Sequence, residues 1–271
     1  MTGPATAVPR DFWKRLENSA RAILLLDYDG TLAPFRDERH RAVPYPGVGR
    51  LLDAIRAETA TRLVIVSGRS LDDLIPLLDL SPPPELWGCH GWEQWQPGRG
   101  RKTGGLAPPV RKALGEALRL AGTENLAGHC EVKPASVAFH WRGLAEDQRP
   151  AAEAAIAVAW TPLTRTGDLE LHPFDGGLEL RVAGFHKGRV VELLLAEEGQ
   201  KPGTTPRDQL AIAFLGDDRT DEDAFKALKN RGLAVLVRAE LRPTEAEVHL
   251  VPPAGLLDFL RNWLARAPRE E

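Results

Sequence analysis

Four places in the sequence carry side chains that could do chemistry together: Asp27 with Asp29, Ser67, Lys187, and Asp217 with Asp218. The first pair lies in Leu24-Leu25-Leu26-Asp27-Tyr28-Asp29-Gly30-Thr31-Leu32. Side chains of an extended chain repeat every second residue, so Asp27 and Asp29 start from one side. Gly30 lets the chain turn sharply and bring its backbone close to a ligand. Crowded carboxylates repel: two unit charges at 4 Å cost about 4 kcal/mol at an effective dielectric near 20. Either such acids spread into water or a hard divalent cation neutralises them. Mg²⁺ suits the second case, because it takes oxygen ligands, keeps waters and pairs with phosphate.

Plainer explanations compete with each candidate. A single Asp after a strand is usually a turn former or helix cap; two at this spacing, followed by Gly-Thr, point to function instead. Asp217 to Asp223 could serve a helix N-terminus, where the macrodipole favours acids and Thr220 or Asp221 can cap. That suffices for Glu222 and Asp223. Asp217, directly after an apolar run and Gly216, is the stronger candidate for chemistry. Ser67 alone reads as a cap for the helix that follows it. Lys187 could be an ordinary surface lysine, although its neighbours His186 and Gly188 suit a phosphate-facing position.

The elements that must position these groups are legible in outline. Ala22–Leu26 is an uninterrupted apolar run, as in a strand buried on both faces of a parallel sheet. Val48, Leu51, Leu52 and Ile55 recur at helical spacing, predicting a helix over 49–59, and Leu63–Val66 is the next strand, ending at Ser67. Strand, helix, strand is the pattern of a βαβ unit with a right-handed crossover. A helix over 11–20 precedes the first strand, and a charged loop, 36–41, follows it. Leu71–Leu78 reads as a helix and Leu86–Glu93 as one short strand. After the polar loop 200–208, Leu210–Leu215 is a further buried strand that ends at Gly216-Asp217-Asp218. In an open parallel sheet the carboxyl ends of the strands lie along one edge, where ligands bind. The candidates therefore converge.

Between these halves the rhythm changes. A basic, glycine-rich stretch from Gly98 to Gly105 marks a boundary. Beyond it come a helix over 110–121, strands over 129–133 and 136–141, an alanine-rich helix over 147–160, and a hairpin, 169–172 with 177–182, around Phe174-Asp175-Gly176. The expected fold class is α/β: a doubly wound, mainly parallel Rossmann-like core, residues 1–102 and 185–271, with an inserted α+β unit, residues 103–184.

Composition bounds the function. The chain has 271 residues, 43% hydrophobic, enough for one substantial core or two smaller ones. Its apolar runs of about five residues fall far short of the roughly 20 that a membrane helix needs. Residues 1–10 have neither a basic start nor an apolar stretch, so no secretory signal is expected. Two cysteines, Cys89 and Cys130, make no disulfide framework and no metal-ligand spacing. A net charge of −3 lacks the basic footprint of a nucleic-acid binder. A cytoplasmic monomer acting on a small molecule, with neither nucleic acid nor membrane as partner, is the expectation.

Taken together, Asp27-Tyr28-Asp29-Gly30-Thr31-Leu32, Ser67-Gly68-Arg69, Lys187-Gly188 and Gly216-Asp217-Asp218-x-Thr220-Asp221-Glu222 resemble the four motifs of the haloacid dehalogenase-like phosphohydrolases. The resemblance is closest to the trehalose-6-phosphate phosphatases, whose pattern also includes Leu32-Ala33-Pro34, a His-Gly segment at His90-Gly91, and Glu-x-Lys with His-x-Arg in the inserted unit. Phe35 departs from that pattern, since an aliphatic residue often follows this proline. The resemblance implies Asp27 as nucleophile and Asp29 as general acid and base. It implies Ser67 and Lys187 holding phosphoryl oxygens. Mg²⁺ would be held by Asp27, the Asp29 carbonyl and Asp217, with Asp218 assisting.

The inserted unit would be a cap, with Glu131, Lys133, Arg142 and Glu179 against the second sugar and His140 there or supporting the sheet. Gly30 and Thr31 would border the phosphate, and Arg69, His90 and Glu93 the rim of the cleft. Any one of the cap residues could equally be part of a polar outer sheet face; as a set they suit sugar hydroxyls. The implied reaction is hydrolysis of trehalose 6-phosphate, with sucrose, glucosylglycerate or mannosylglycerate phosphate as alternatives. A phospho-accepting signalling module would leave Asp29 and the insert unexplained, and a sensor without turnover would not need the acid pair.

Overall fold

The computed structural model describes residues 3–36, 38–199 and 210–269, so the polar loop expected over 200–208 lies outside the described residues, as does Asp37 of the charged loop. The chain divides into two compact units, residues 1–102 with 186–271, and residues 103–185.

In the first unit, α1 (Arg10–Asn18) leads into β1 (Arg21–Leu26), then α2 (Val48–Glu58), β2 (Thr61–Val66), α3 (Leu71–Leu78), β3 (Glu85–Gly88), β4 (Glu93–Gln96) and β5 (Gly100–Thr103). The second unit holds α4 (Pro108–Thr123), β6 (Cys130–Lys133), β7 (Ser136–His140), α5 (Arg149–Trp160), β8 (Leu169–Phe174) and β9 (Gly177–Val182). The first unit then resumes with α6 (Lys187–Gly199), β10 (Leu210–Gly216), α7 (Glu222–Leu228), β11 (Leu233–Val237), β12 (Val248–Leu250) and α8 (Ala254–Arg266).

One sheet of eight strands runs β12-β11-β10-β1-β2-β3-β4-β5, and it is parallel from β12 to β3. Period-two alternation sends the side chains of β1 into two cores: Ala22, Leu24 and Leu26 join one face's cluster with Leu16, Leu52 and Trp263, while Ile23 and Leu25 join the other with Val191, Phe214 and Phe225. Each buried leucine or isoleucine among them contributes about 1.5–3 kcal/mol. That two-sided packing makes β1 and β10 rigid platforms, so whatever follows their carboxyl ends is held in place.

The segment 86–93 differs from its expected single strand. β3 stops at Gly88, the chain turns through Cys89, His90 and Gly91, all at positive φ, and β4 returns antiparallel to β3. The glycine-rich stretch expected as a boundary contributes the edge strand β5. Among the described residues no helix is long and apolar enough to cross a membrane.

In the second unit a four-stranded antiparallel sheet, β6-β7-β9-β8, packs one face on α4 and α5 through Val137, Phe139, Leu178, Leu180, Ile156 and Trp160. Alternation leaves the opposite face to polar side chains.

Candidate active site

Two strand ends bring the acids together. β1 and β10 pair in parallel with Leu26 opposite Leu215, and the Asp27 amide donates to the Leu215 carbonyl at 2.9 Å. After Asp27 the chain folds into a tight loop in which the Tyr28 carbonyl accepts from Leu32 and Ala33. Tyr28 is buried beneath it and donates its hydroxyl to the Ala42 carbonyl at 2.7 Å. Gly30 has φ +80°, and a Cβ there would fall 2.0 Å from Asp217 Oδ2. Glycine is required on both counts. The loop thus brings Gly30 close against the carboxylate that follows β10.

Lys187, the first residue of α6, reaches across 160 positions to Asp27 Oδ1 at 2.6 Å and also donates to Asp221 Oδ1 at 2.7 Å. All three groups are buried. The other Asp221 oxygen accepts the backbone amides of Asp217 at 3.0 Å and Asp218 at 2.9 Å. A Cβ on Gly216 would lie 2.3 Å from the Asp221 carboxyl carbon, and one on Gly188 would lie 2.4 Å from the Asp223 carbonyl oxygen. Asp218 is less buried; its side chain accepts from the Arg219 amide and closes a capping box with Asp221. From behind, Arg242 donates to the Asp217 carbonyl at 3.2 Å and the Asp218 carbonyl at 2.7 Å, and it pairs with Glu222.

The electrostatics of this cluster are unbalanced. Asp27, Asp217 and Asp221 each offer an oxygen within 4.8 Å of the others, against one ammonium. Burial, reinforced by the neighbouring Asp221 and Asp29 carboxylates, pushes the Asp27 carboxyl up to about 7 although Lys187 pulls it down. Burial, with Asp27 and Asp221 nearby, likewise holds Asp217 well above the ordinary carboxylate value. Burial also opposes the Lys187 ammonium, but Asp221 and Asp27 outweigh it and raise its pKa. Asp217 Oδ1 is buried and has no hydrogen-bond donor among the described residues. Groups so placed are normally satisfied. An all-oxygen set with an orphaned carboxylate oxygen fits a hard divalent cation.

Ser67 and Arg69 follow β2. The Ser67 hydroxyl accepts from the Arg69 amide at 3.1 Å, and the cap of α3 is Ser70, which accepts from the Asp73 amide. The helix therefore does not require Ser67 as its cap. Arg69, expected at the rim, is buried and grips Asp29 with two 2.6 Å hydrogen bonds, its guanidinium lying over the Tyr28 ring. His90 is also buried: its amide donates to the Ser67 carbonyl, and its ring occupies the space a Cβ on Gly68 would need. Glu93, also expected at the rim, is buried and accepts from the Leu71 amide at 2.8 Å while pairing with Arg101. Its carboxylate is thus committed to anchoring the start of α3. Thr31 is buried beside Asp27, 3.4 Å from its Oδ2.

Residues 25–250 match the trehalose-phosphatase family profile. The chain belongs to the trehalose-phosphatase family. By that membership it is a phosphatase. It is 30% identical over 246 residues to a bifunctional trehalose-6-phosphate synthase/phosphatase of Thermoproteus tenax, covering 89% of this chain and 32% of that protein. It is 29% identical over 260 residues to trehalose 6-phosphate phosphatase RA3 of Zea mays, covering 89% of this chain and 69% of that protein. The C-terminal domain of C. albicans trehalose-6-phosphate phosphatase has the same fold, with a TM-score of 0.84 over 97% of this chain and 99% of that one at 21% identity. Haloacid dehalogenase-like hydrolases share that architecture.

In this trehalose-phosphatase family member the polar sheet face of the second unit gathers the remaining candidates. Register puts Glu131, Ala138, Glu179 and His172 in one row and Lys133, Ser136, Arg181 and Glu170 in the next. Lys133 donates to Glu179 at 3.0 Å, and Ser136 donates to the same oxygen at 2.7 Å. His140 Nε2 is 2.9 Å from Glu131. Arg142 stands just past β7, its carbonyl 3.2 Å from His129 Nδ1. Sequence reasoning missed Asp221 and Arg242. The one local signal for Asp221 was its place within the Gly-Asp-Asp-x-Thr-Asp-Glu run; Arg242 had none.

Proposed function

We propose that the chain is a Mg²⁺-dependent trehalose-6-phosphate phosphatase that works through an aspartyl phosphate on Asp27. The observation that carries this reading is the buried, under-neutralised trio of Asp27, Asp217 and Asp221 around Lys187, at the edge where a phosphoryl group would be received. Asp27 and Asp217, with the Asp29 carbonyl, would hold Mg²⁺, and Asp221 would fix Lys187 and the Asp217 backbone. When bound, the cation screens the nucleophile from the phosphate and clamps the transferring group.

An Asp27 carboxylate oxygen attacks phosphorus, and the bond from phosphorus to the sugar oxygen breaks. Asp27 Oδ1 is held by Lys187 at 2.6 Å, so Oδ2, which Thr31 reaches at 3.4 Å, is the less committed oxygen. Asp29 gives its proton to the departing sugar oxygen, which leaves as an alcohol. Asp29 then takes a proton from water, whose oxygen attacks phosphorus and releases inorganic phosphate from Asp27. Arg69 grips Asp29 through two 2.6 Å hydrogen bonds, so that pair must open before the protonated Asp29 carboxyl can face the departing oxygen. Lys187 and Ser67 stabilise the phosphoryl oxygens as charge builds on them. The face bearing Glu131, Lys133, Glu179, His140 and Arg142 suits the hydroxyls of a disaccharide, with carboxylates accepting and cations donating. The reading includes a monomeric cytoplasmic enzyme.

A panel of trehalose, sucrose, glucosylglycerate and mannosylglycerate phosphates, assayed for phosphate release with Mg²⁺ and with EDTA, tests this. Trehalose 6-phosphate should have the highest kcat/KM, and Asp27→Asn should serve as a blank, at least about 10⁴-fold down. Release that persists in the Asn variant, or in EDTA, rejects the mechanism. A better substrate elsewhere in the panel rejects the sugar.

A further inference from the structure

The large exposed apolar side chains among the described residues include one aromatic, Phe35, which is 55% exposed. Single exposed aliphatics are ordinary on protein surfaces. Phe35 is different because of where it sits. A Cβ built on Gly30 would lie 2.8 Å from Phe35 Cε2 and 2.0 Å from Asp217 Oδ2. The ring edge and the buried carboxylate therefore flank one point in the nucleophile loop. Pro34 fixes the backbone before it. The ring edge thus lies beside the loop that carries Asp27 while the residue as a whole is more than half exposed.

Tyr45 is partly buried, and burial, with the Asp217 carboxylate adding to it, raises its hydroxyl pKa. Its amide donates to the Leu32 carbonyl at 2.9 Å, tying it to the same loop. An apolar ring beside a phosphate-receiving edge otherwise built from aspartates and a lysine has no part in the phosphoryl chemistry. What it offers is a flat, weakly hydrated surface, and a pyranose has a matching face of C–H bonds.

We propose that Phe35 is a specificity-determining residue: its exposed ring packs against the C–H face of the sugar that carries the phosphate. This rests on the sugar-phosphate reading above. It goes beyond it by making affinity for the leaving group depend on an aromatic platform in the first unit, separate from the polar sheet face of the second.

The test compares Phe35→Ala, Phe35→Leu and Phe35→Tyr with the unmodified chain on trehalose 6-phosphate and on glycerol 1-phosphate, which has no ring. Phe35→Ala should lose about tenfold in kcat/KM on trehalose 6-phosphate, carried by KM, equivalent to about 1.4 kcal/mol. The loss on glycerol 1-phosphate should be at least about fivefold smaller, Phe35→Leu should fall between, and Phe35→Tyr should restore the sugar preference. Equal losses on both substrates, a loss confined to kcat, or no loss on the sugar ester overturns the platform. The unmodified chain's own ranking of substrates tests the proposed function separately, so the two can fail independently. Thermal melts check each variant's fold, and the Tyr variant keeps the comparison decisive if Ala weakens it.

Discussion

The two ends of the eight-stranded sheet carry similar charges and settle them in opposite ways. Where the strands begin, Glu85, Glu197 and Glu198 meet Arg21 and Arg62. Arg62 donates to both Glu85 oxygens at 2.8 and 3.1 Å and to Glu197 at 2.7 Å, and Arg21 pairs with Glu198. Glu85 also accepts from the indole of Trp87 at 2.9 Å and from Gln94 and Gln96 at 3.3 Å. Where the strands end, Asp27 and Asp221 share Lys187 beside Asp217, one of whose carboxylate oxygens has no donor among the described residues. A charge set that exists only to hold a fold is brought close to neutrality and fully hydrogen-bonded. The set at the carboxyl edge is left with a negative surplus, which is useful only to something that arrives positive or brings a cation.

That contrast is broken most sharply by Asp217→Asn. Removing one carboxylate should lower kcat at least about 10²-fold and raise the melting temperature of the metal-free protein, because a like charge leaves a buried cluster. Activity assays and melts in EDTA check both signs. A destabilised, active variant would mean that the surplus has no cost and no purpose.

The opposite substitution sharpens it from the other side. Arg62→Met takes away the cation that balances Glu85 and Glu197, and should cost about 2 kcal/mol, or several degrees in Tm. The Trp87 and glutamine donors limit the damage. Turnover per folded molecule should stay within about twofold, since Arg62 is at the far end of β2 from Ser67. A Tm unchanged in this variant would show that the network is surface decoration.

The sequence reveals these two ends unequally. β1, β2 and β10 are legible because apolar runs closed by Asp, Ser or Gly-Asp have few other readings, and the acids after β1 stand out by their spacing. Asp221 does not stand out. In its acidic run every carboxylate looks equally suited to a helix N-terminus, and its role depends on Lys187, 34 residues away. The turn at Cys89–Gly91 is hidden because two non-glycine residues adopt positive φ, at 48° and 57°, which composition does not announce. Arg69 and Glu93 entered as rim residues through the family resemblance alone; a bidentate contact with Asp29 and the start of α3 bury them. The Arg62 network is likewise invisible, since each member alone is an ordinary strand-end charge.

A further expected effect concerns pH. Asp27 titrates near 7 in the folded, metal-free protein but near 3.8 when unfolded. Between those values the folded state holds a proton that the unfolded state has lost. Protonated Asp27 therefore favours folding fully below the unfolded value, and the benefit disappears as pH rises through about 7. Asp217, raised for the same reasons, acts with the same sign. Asp27→Asn lacks the Asp27 titration, so subtracting its stability from that of the unmodified protein isolates the effect. In EDTA the unmodified chain should lose ground steadily against the Asn variant from pH 4 to pH 8. With Mg²⁺ present the trend should weaken or reverse, because the cation and the proton compete for the same oxygens. Denaturant melts at four or five pH values measure this difference. If it is flat in EDTA, the carboxyl edge is as well neutralised as the other end of the sheet, and the contrast between the two ends no longer marks the site.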